Sequence, residues 1–167
     1  AGWYPVDLEA NQDWLYTLTD IEIAEIQAAV TTIEERGLDI LDIGRGDVDM
    51  PHFDQTLAML HDELLEGRGF FLLRGVPVDV FNHAQAAAAY WIIGTRFGRA
   101  LSQNKKRHML GHVKDFGGDY AAANVRGYQT NAELIFHCDL CDYVGLLCRH
   151  PAKSGGASRI ASNVTVY

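Results

Sequence analysis

The residue types best able to do chemistry crowd into one stretch, LIFHCDLCDYVGLLC, from Leu134 to Cys148. On an extended strand side chains alternate faces, so residues two apart point the same way. His137 and Asp139 would then share a face, with Cys138 on the other. An imidazole beside a carboxylate supplies two of the three ligands of the 2-His-1-carboxylate triad that holds non-haem Fe(II) in oxygenases. The remaining coordination positions stay open for cosubstrate and oxygen. The plain alternative is an exposed polar pair at a strand end. A second metal also has a claim: Cys138 and Cys141 form a C-x-x-C, half of a zinc site that His137, Cys148 or His150 would have to complete. The residues between them, Asp139 and Leu140, include no glycine for a knuckle turn, and no second C-x-x-C follows. The cysteines therefore read as small buried hydrophobes.

The elements that must position this stretch fall into two regions. Thr19 followed by Glu22 is a capping box, and Ile23, Ile26, Val30 and Ile33 continue a helical apolar stripe that Gly37 ends. A second helix fits Asp54 to Glu66, with Leu57, Leu60 and Leu64 on one face. GFFLLRG, Gly69 to Gly75, is short, aromatic and bounded by glycines, which suits a buried strand. A third helix fits Asn82 to Phe97, with Ala84, Ala88, Trp91, Ile92 and Thr95 at helical spacing. Beyond Gly98, short apolar runs (Met109–Val113, Leu134–Phe136, Tyr143–Cys148, Arg159–Ala161) are broken by Gly, Asn, Asp and Pro, which is strand-and-turn punctuation. The expectation is an α+β fold with antiparallel strands after the helices. No repeat, low-complexity tract or linker divides the chain, so one domain spans residues 1–167, helical over about 1–98.

Composition narrows the function. The chain has 167 residues, 48% of them hydrophobic and 22% charged, as expected of one globular domain. Its net charge of −8 argues against nucleic acid, whose phosphates demand clustered cations. Lys105-Lys106-Arg107 is the one basic run and reads as a solvated loop. No run approaches the roughly 18 consecutive apolar residues of a membrane span, and no signal peptide is visible. Three cysteines within eleven residues make a poor disulfide framework. A cytoplasmic protein with reduced thiols is expected, and its oligomeric state is not written in the sequence.

A family resemblance goes further. WLYTLTDIEIAEI, ELLEGRGFFLLRGVPVD, GTRFGRALSQN, LGHVKDFG and NVRGYQTNAELIFHCDLCDYVGLLCRHPAKSGGASRIAS occur in that order along nearly the whole chain. Together they resemble the N-terminal part of the TauD/TfdA-type Fe(II)- and 2-oxoglutarate-dependent dioxygenases. Glycine-bounded GRGFFLLRG, then F-H-x-D, then S-G-G-x-S is the specific combination. The resemblance implies a double-stranded β-helix (jelly-roll) core flanked by helices and beginning at about residue 99. It makes His137 and Asp139 iron ligands, with 2-oxoglutarate as cosubstrate and O2 and a small organic molecule as partners. Ser158 takes the position whose hydroxyl contacts the 2-oxoglutarate carboxylate, while Ala157 stands where the family usually has an acidic residue. Asn131 and Gln103 fall where such enzymes gather substrate-facing polar groups, and Arg74 and Arg126 could each pair with a carboxylate.

The resemblance also defines a deficit. The family's third ligand is a histidine far downstream of H-x-D, followed by an arginine that binds the 2-oxoglutarate carboxylate. His150 is too close to Asp139, Arg159 does not match that arginine, and both groups are expected beyond Tyr167. His52, His61 and His83 read as helix-surface residues, and His108 and His112 flank a strand. The expectations are that these residues alone turn over little or no substrate, and that the rival readings are a catalytically silent jelly-roll binding protein or a zinc-stabilised module built on Cys138 and Cys141.

Overall fold

The computed structural model describes residues 2–104, 107–118 and 127–167, and the chain divides into two compact units. Unit 1 comprises Ala1–Arg99 with Gly145–Tyr167, and unit 2 is Ala100–Val144.

Unit 1 opens with a short helix, α1 (Pro5–Ala10), whose Pro5 stands at the first helical position. Strand β1 (Leu15–Thr17) leads directly into α2 (Asp20–Arg36). Thr19 caps α2, and the Glu22 carboxylate reaches back to the Thr19 amide at 2.7 Å, so two otherwise orphaned donors are satisfied reciprocally. Gly37 ends the helix in the left-handed conformation, φ 62°. Helix α3 (Pro51–Leu65) begins earlier than the apolar stripe alone suggests. Pro51 stands in its first turn, and the Glu25 carboxylate of α2 accepts from the amides of His52 (3.1 Å) and Phe53 (2.9 Å). A cap supplied by a different helix fixes where α3 starts.

Strand β2 (Leu72–Arg74) pairs with β1 in parallel, Leu15 opposite Leu72, Tyr16 opposite Leu73 and Thr17 opposite Arg74. Parallel strands need a long crossover, and α2 and α3 are that crossover. The buried strand expected over Gly69–Gly75 is therefore shorter, and it is not buried: β2 lies in a two-stranded sheet with Leu72 and Arg74 exposed. Helix α4 (His83–Phe97) is capped by Asn82 and Gln85, and α5 (Asn163–Val166) by Ser162.

The core lies where α2, α3 and α4 meet. Helix α2 buries Ile26, Val30 and Ile33, α3 buries Phe53, Leu57 and Leu60, and α4 buries Ala89, Trp91 and Ile92, with each helix packed on the other two. Ala84, expected on the apolar face of α4, is exposed; Ala86 and Ala89 take the buried positions instead. Two polar ties lock α4 to the preceding segment. Trp91 Nε1 donates to the Ile43 carbonyl at 3.0 Å, and Arg96 donates to the Val48 carbonyl at 3.0 Å. Trp3 and Phe70 meet with ring centroids 5.1 Å apart and planes tilted by 59°, and Thr165 Oγ1 both accepts from the Trp3 amide and donates to its carbonyl, each at 2.9 Å.

Unit 2 contains a 3-10 turn at Gly127–Gln129 and no strand among the described residues. Its backbone ties are local or sparse: Gln103 N to His108 O at 2.7 Å, and Lys114 N to Tyr128 O at 3.1 Å. None of the four apolar runs expected as strands forms a ladder among the described residues. Alternation marks a segment that can pair; a ladder also needs a second strand in register beside it, which alternation does not supply.

Candidate functional site

His137 and Asp139 lie in unit 2, on backbone without regular secondary structure. His137 Nε2 is 3.9 Å from Asp139 Oδ1, and both side chains are 54% exposed. His137 Nδ1 lies 2.7 Å from the Ile135 carbonyl. A carbonyl can only accept, so Nδ1 carries the hydrogen, and in the neutral imidazole Nε2 holds the lone pair that a cation could use. A backbone carbonyl behind one ring nitrogen is how ligating histidines are generally oriented. Adjacent positions on one octahedral cation, with bonds of about 2.1 Å, would put two donors roughly 3 Å apart. The pair must close by about 1 Å, which half-exposed side chains can do by rotation. The donor chemistry fits two positions of an iron site. Among the described residues, no group of three or more His, Cys, Asp or Glu could hold a metal.

The cysteines correct an expectation. Cys138, Cys141 and Cys148 are exposed and outside any disulfide, not buried packing residues. The surrounding runs do not pack into a sheet, so no apolar layer covers them. Cys141 Sγ donates to the Tyr143 carbonyl at 3.3 Å.

Ser158 lies in unit 1 and is exposed. The turn before it depends on two consecutive glycines, Gly155 (φ 68°) and Gly156 (φ 71°), and a Cβ on Gly156 would come 2.8 Å from that of Ala152. Asn131 and Gln103 are exposed in unit 2, and the Gln103 amide donates to the Leu101 carbonyl at 2.9 Å. No hydrogen bond or ion pair links either to His137 or Asp139 among the described residues. Arg74 is exposed on β2, whereas Arg126, Lys105 and Lys106 lie outside the described residues.

The upstream histidines are structural. His52 Nδ1 lies 2.7 Å from Glu25, and His83 Nδ1 accepts from Arg149 at 2.8 Å. His61 is half-buried, edge-on to Phe97, and not the surface residue expected. Two buried charges went unforeseen. Glu22, 2% exposed, gathers hydrogen bonds from Thr19, Tyr16 and Thr56, and Arg96, 8% exposed, pairs with Asp54 at 2.9 Å. Burial alone would raise the Glu22 carboxyl, but its hydrogen bonds, with Thr56 foremost, outweigh burial and hold it below the ordinary glutamate value. The Thr19-x-x-Glu22 spacing marked the cap, but nothing local could reveal Thr56 as a partner.

A histidine held by a backbone carbonyl, with a carboxylate two residues on, offers donors of the kind a dication takes. The chain belongs to the taurine catabolism dioxygenase TauD, TfdA family, whose pattern matches residues 33–167. It is 32% identical to an FR-33289 synthase of Streptomyces rubellomurinus, over 99% of this chain and 49% of that protein. A taurine hydroxylase-like protein, SAT17, of Stachybotrys chartarum is 23% identical over 99% of this chain and 45% of its own length. The chain thus spans about half the length of these curated relatives. Members of the family use Fe(II) and 2-oxoglutarate with O2 on small molecules, and are built on a double-stranded β-helix. Among the described residues no helix is long and apolar enough to cross a membrane.

Proposed function

We propose that the complete protein is a cytoplasmic Fe(II)- and 2-oxoglutarate-dependent dioxygenase that hydroxylates or otherwise oxidises a small organic substrate, and that residues 1–167 form the N-terminal part of its catalytic domain. The observation that supports this most directly is the His137–Asp139 pair, with Nδ1 committed to the Ile135 carbonyl and Nε2 3.9 Å from the carboxylate. Family membership over residues 33–167 supports the same reading. So do the printed names of the relatives, a synthase and a taurine hydroxylase-like protein.

His137 contributes a neutral nitrogen whose direction the backbone sets, so little ring freedom is lost when a cation is captured. Asp139 contributes a formal negative charge that offsets part of a dication's, and its exposure leaves it free to move towards Nε2. When bound, iron and 2-oxoglutarate supply the oxidising chemistry: O2 is consumed, 2-oxoglutarate becomes succinate and carbon dioxide, and the substrate is oxidised. The Ser158 hydroxyl is assigned to the 2-oxoglutarate carboxylate as a donor, presented by the Gly155-Gly156 turn. Gln103 and Asn131 are assigned to the substrate. The third iron ligand and the arginine for the cosubstrate lie outside these residues.

The test is anaerobic addition of Fe(II) and 2-oxoglutarate to the full-length protein. A visible charge-transfer band that is absent in His137→Ala and Asp139→Ala is expected. No band, or one that persists in Asp139→Ala, would overturn the assignment. Residues 1–167 alone should bind Fe(II) weakly and turn over no substrate.

A further inference from the structure

A cavity of about 80 Å³ opens in unit 1, lined by Arg45, Asp54, Leu57, Ala58, His61 and Arg96. Two cationic side chains line it, and one carboxylate answers them. The Arg96 side chain is 2% exposed; Nε donates to Asp54 at 2.9 Å and Nη2 to the Val48 carbonyl at 3.0 Å. Its Nη1 contacts, to the Ile92 carbonyl and Thr95 Oγ1, are both 3.4 Å, longer than an ordinary N–H···O bond. Nη2 carries two hydrogens and the Val48 carbonyl takes one, so the other has no acceptor among the described residues. Arg45 opens a 3-10 turn (Arg45–Asp47), is exposed, and its side chain makes no ion pair or hydrogen bond among the described residues. Asp47, the nearest acid in sequence, is taken by Arg36 at 2.9 Å and by the Gly44 amide at 2.8 Å. With His61 neutral, the cavity holds one more positive charge than negative, in a chain whose net charge is −8.

We propose that this cavity binds a tetrahedral oxyanion, a free phosphate or the phosphate end of a monoester, between the Arg45 and Arg96 guanidiniums. A guanidinium presents its hydrogens as a planar fork that matches phosphate oxygens, and such charge-assisted bonds are roughly twice as strong as neutral ones. A single water needs only about 10–15 Å³ by the same measure, so the cavity has room for an ion of this size. Arg96 is fixed by Asp54 and Val48 before any ligand arrives, so little rotamer freedom is lost there on binding. Arg45, exposed and unpaired, is the arm that closes on the ion. Asp54 opposes an anion, and its pairing with Arg96 Nε limits that opposition, so the affinity is modest. His61, edge-on to Phe97, forms part of the wall and reports occupancy. The site uses no residue assigned to iron or 2-oxoglutarate and does not depend on that reading.

Inorganic phosphate is titrated into the full-length protein at fixed pH and ionic strength, with chloride as the compensating ion, and the His61 imidazole resonances are followed. A saturable shift with a millimolar midpoint is expected. Arg45→Gln should weaken binding by about tenfold, and Arg45→Lys by less, because an ammonium keeps the charge without the fork. Arg99→Gln, at an exposed position outside the cavity, should leave the midpoint unchanged. Resonances that stay still, a shift that never saturates, or an unchanged midpoint in Arg45→Gln would each overturn the proposal. Equal weakening in Arg99→Gln would mark general attraction between charges and overturn it too. Methyl phosphate separates the two sources: a midpoint matching that of inorganic phosphate assigns the site to a monoester end, and saturable binding of inorganic phosphate alone assigns it to the free ion.

Discussion

Glu22 shows how a buried charge is kept in this protein. Burial opposes its ionised form, but the hydrogen bonds from Thr56, Thr19 and Tyr16 win, and its carboxyl titrates below the ordinary value of 4.5. A depressed carboxylate adds stability at pH above the unfolded value, and that stability drains away as pH falls through the folded one. Unit 1 should therefore weaken progressively below about pH 4.5. Glu22→Gln should reduce stability by about 1–3 kcal/mol in neutral urea titrations, because its amide cannot accept from every donor that the carboxylate serves. The same variant should show a shallower acid limb; an unchanged limb would mean that Glu22 does not carry this pH dependence. At the candidate site the charge matters in another way. Asp139→Asn keeps the shape but removes the charge, and Fe(II) affinity of the full-length protein should drop by at least about tenfold in a chelator competition. The H-x-D pair was legible because two residues of strong chemical character stand two apart. The Ile135 carbonyl behind His137 was not, since any residue type could supply it.

Helix α3 depends on a neighbour for its beginning. Glu25 of α2 caps it, and although burial pushes that carboxyl up, the Phe53 and His52 amides and the His52 ring hold it below its ordinary value. Glu25→Ala should lower stability by about 1 kcal/mol in thermal or urea unfolding, as expected of a lost N-cap. The Arg96–Asp54 pair makes a sharper prediction. Asp54→Ala strands a nearly buried guanidinium and should lower stability by about 3–5 kcal/mol, whereas Arg96→Met with Asp54→Leu should be far milder. Urea midpoints of the two variants separate a true requirement for charge from the penalty of leaving one charge alone. The three long helices were readable because their signals are local: Thr19 with Glu22, Gly37 and Asn82 each act within a turn of where they stand. The start of α3 at Pro51 was not, because its cap lies on another helix. The apolar runs after Gly98 carry the right alternation for strands, yet alternation says nothing about the partner a ladder needs.

At the scale of the whole molecule, the chain leaves unit 1 after Arg99 and returns to it at Gly145. Tyr90 of α4 donates to the Gly145 carbonyl at 2.5 Å, and a Cβ on Gly145 would meet the Tyr90 hydroxyl at 2.8 Å, so the return point is held against α4. Replacing residues 100–144 with a flexible Gly/Ser linker should therefore leave unit 1 cooperatively folded, with its helical circular dichroism and a single unfolding transition. Loss of that transition would show that unit 1 needs the excised residues. Composition and the order of motifs made the family legible, but the division into units was invisible because no linker composition marks residues 99 and 145. The clasp between Trp3 and Thr165 has a consequence of its own. It ties together backbone 162 positions apart, through a single hydroxyl that both accepts and donates. Thr165→Val keeps the side chain's shape but leaves the Trp3 amide and carbonyl without that partner, and should lower the stability of unit 1 by about 1–3 kcal/mol in urea unfolding.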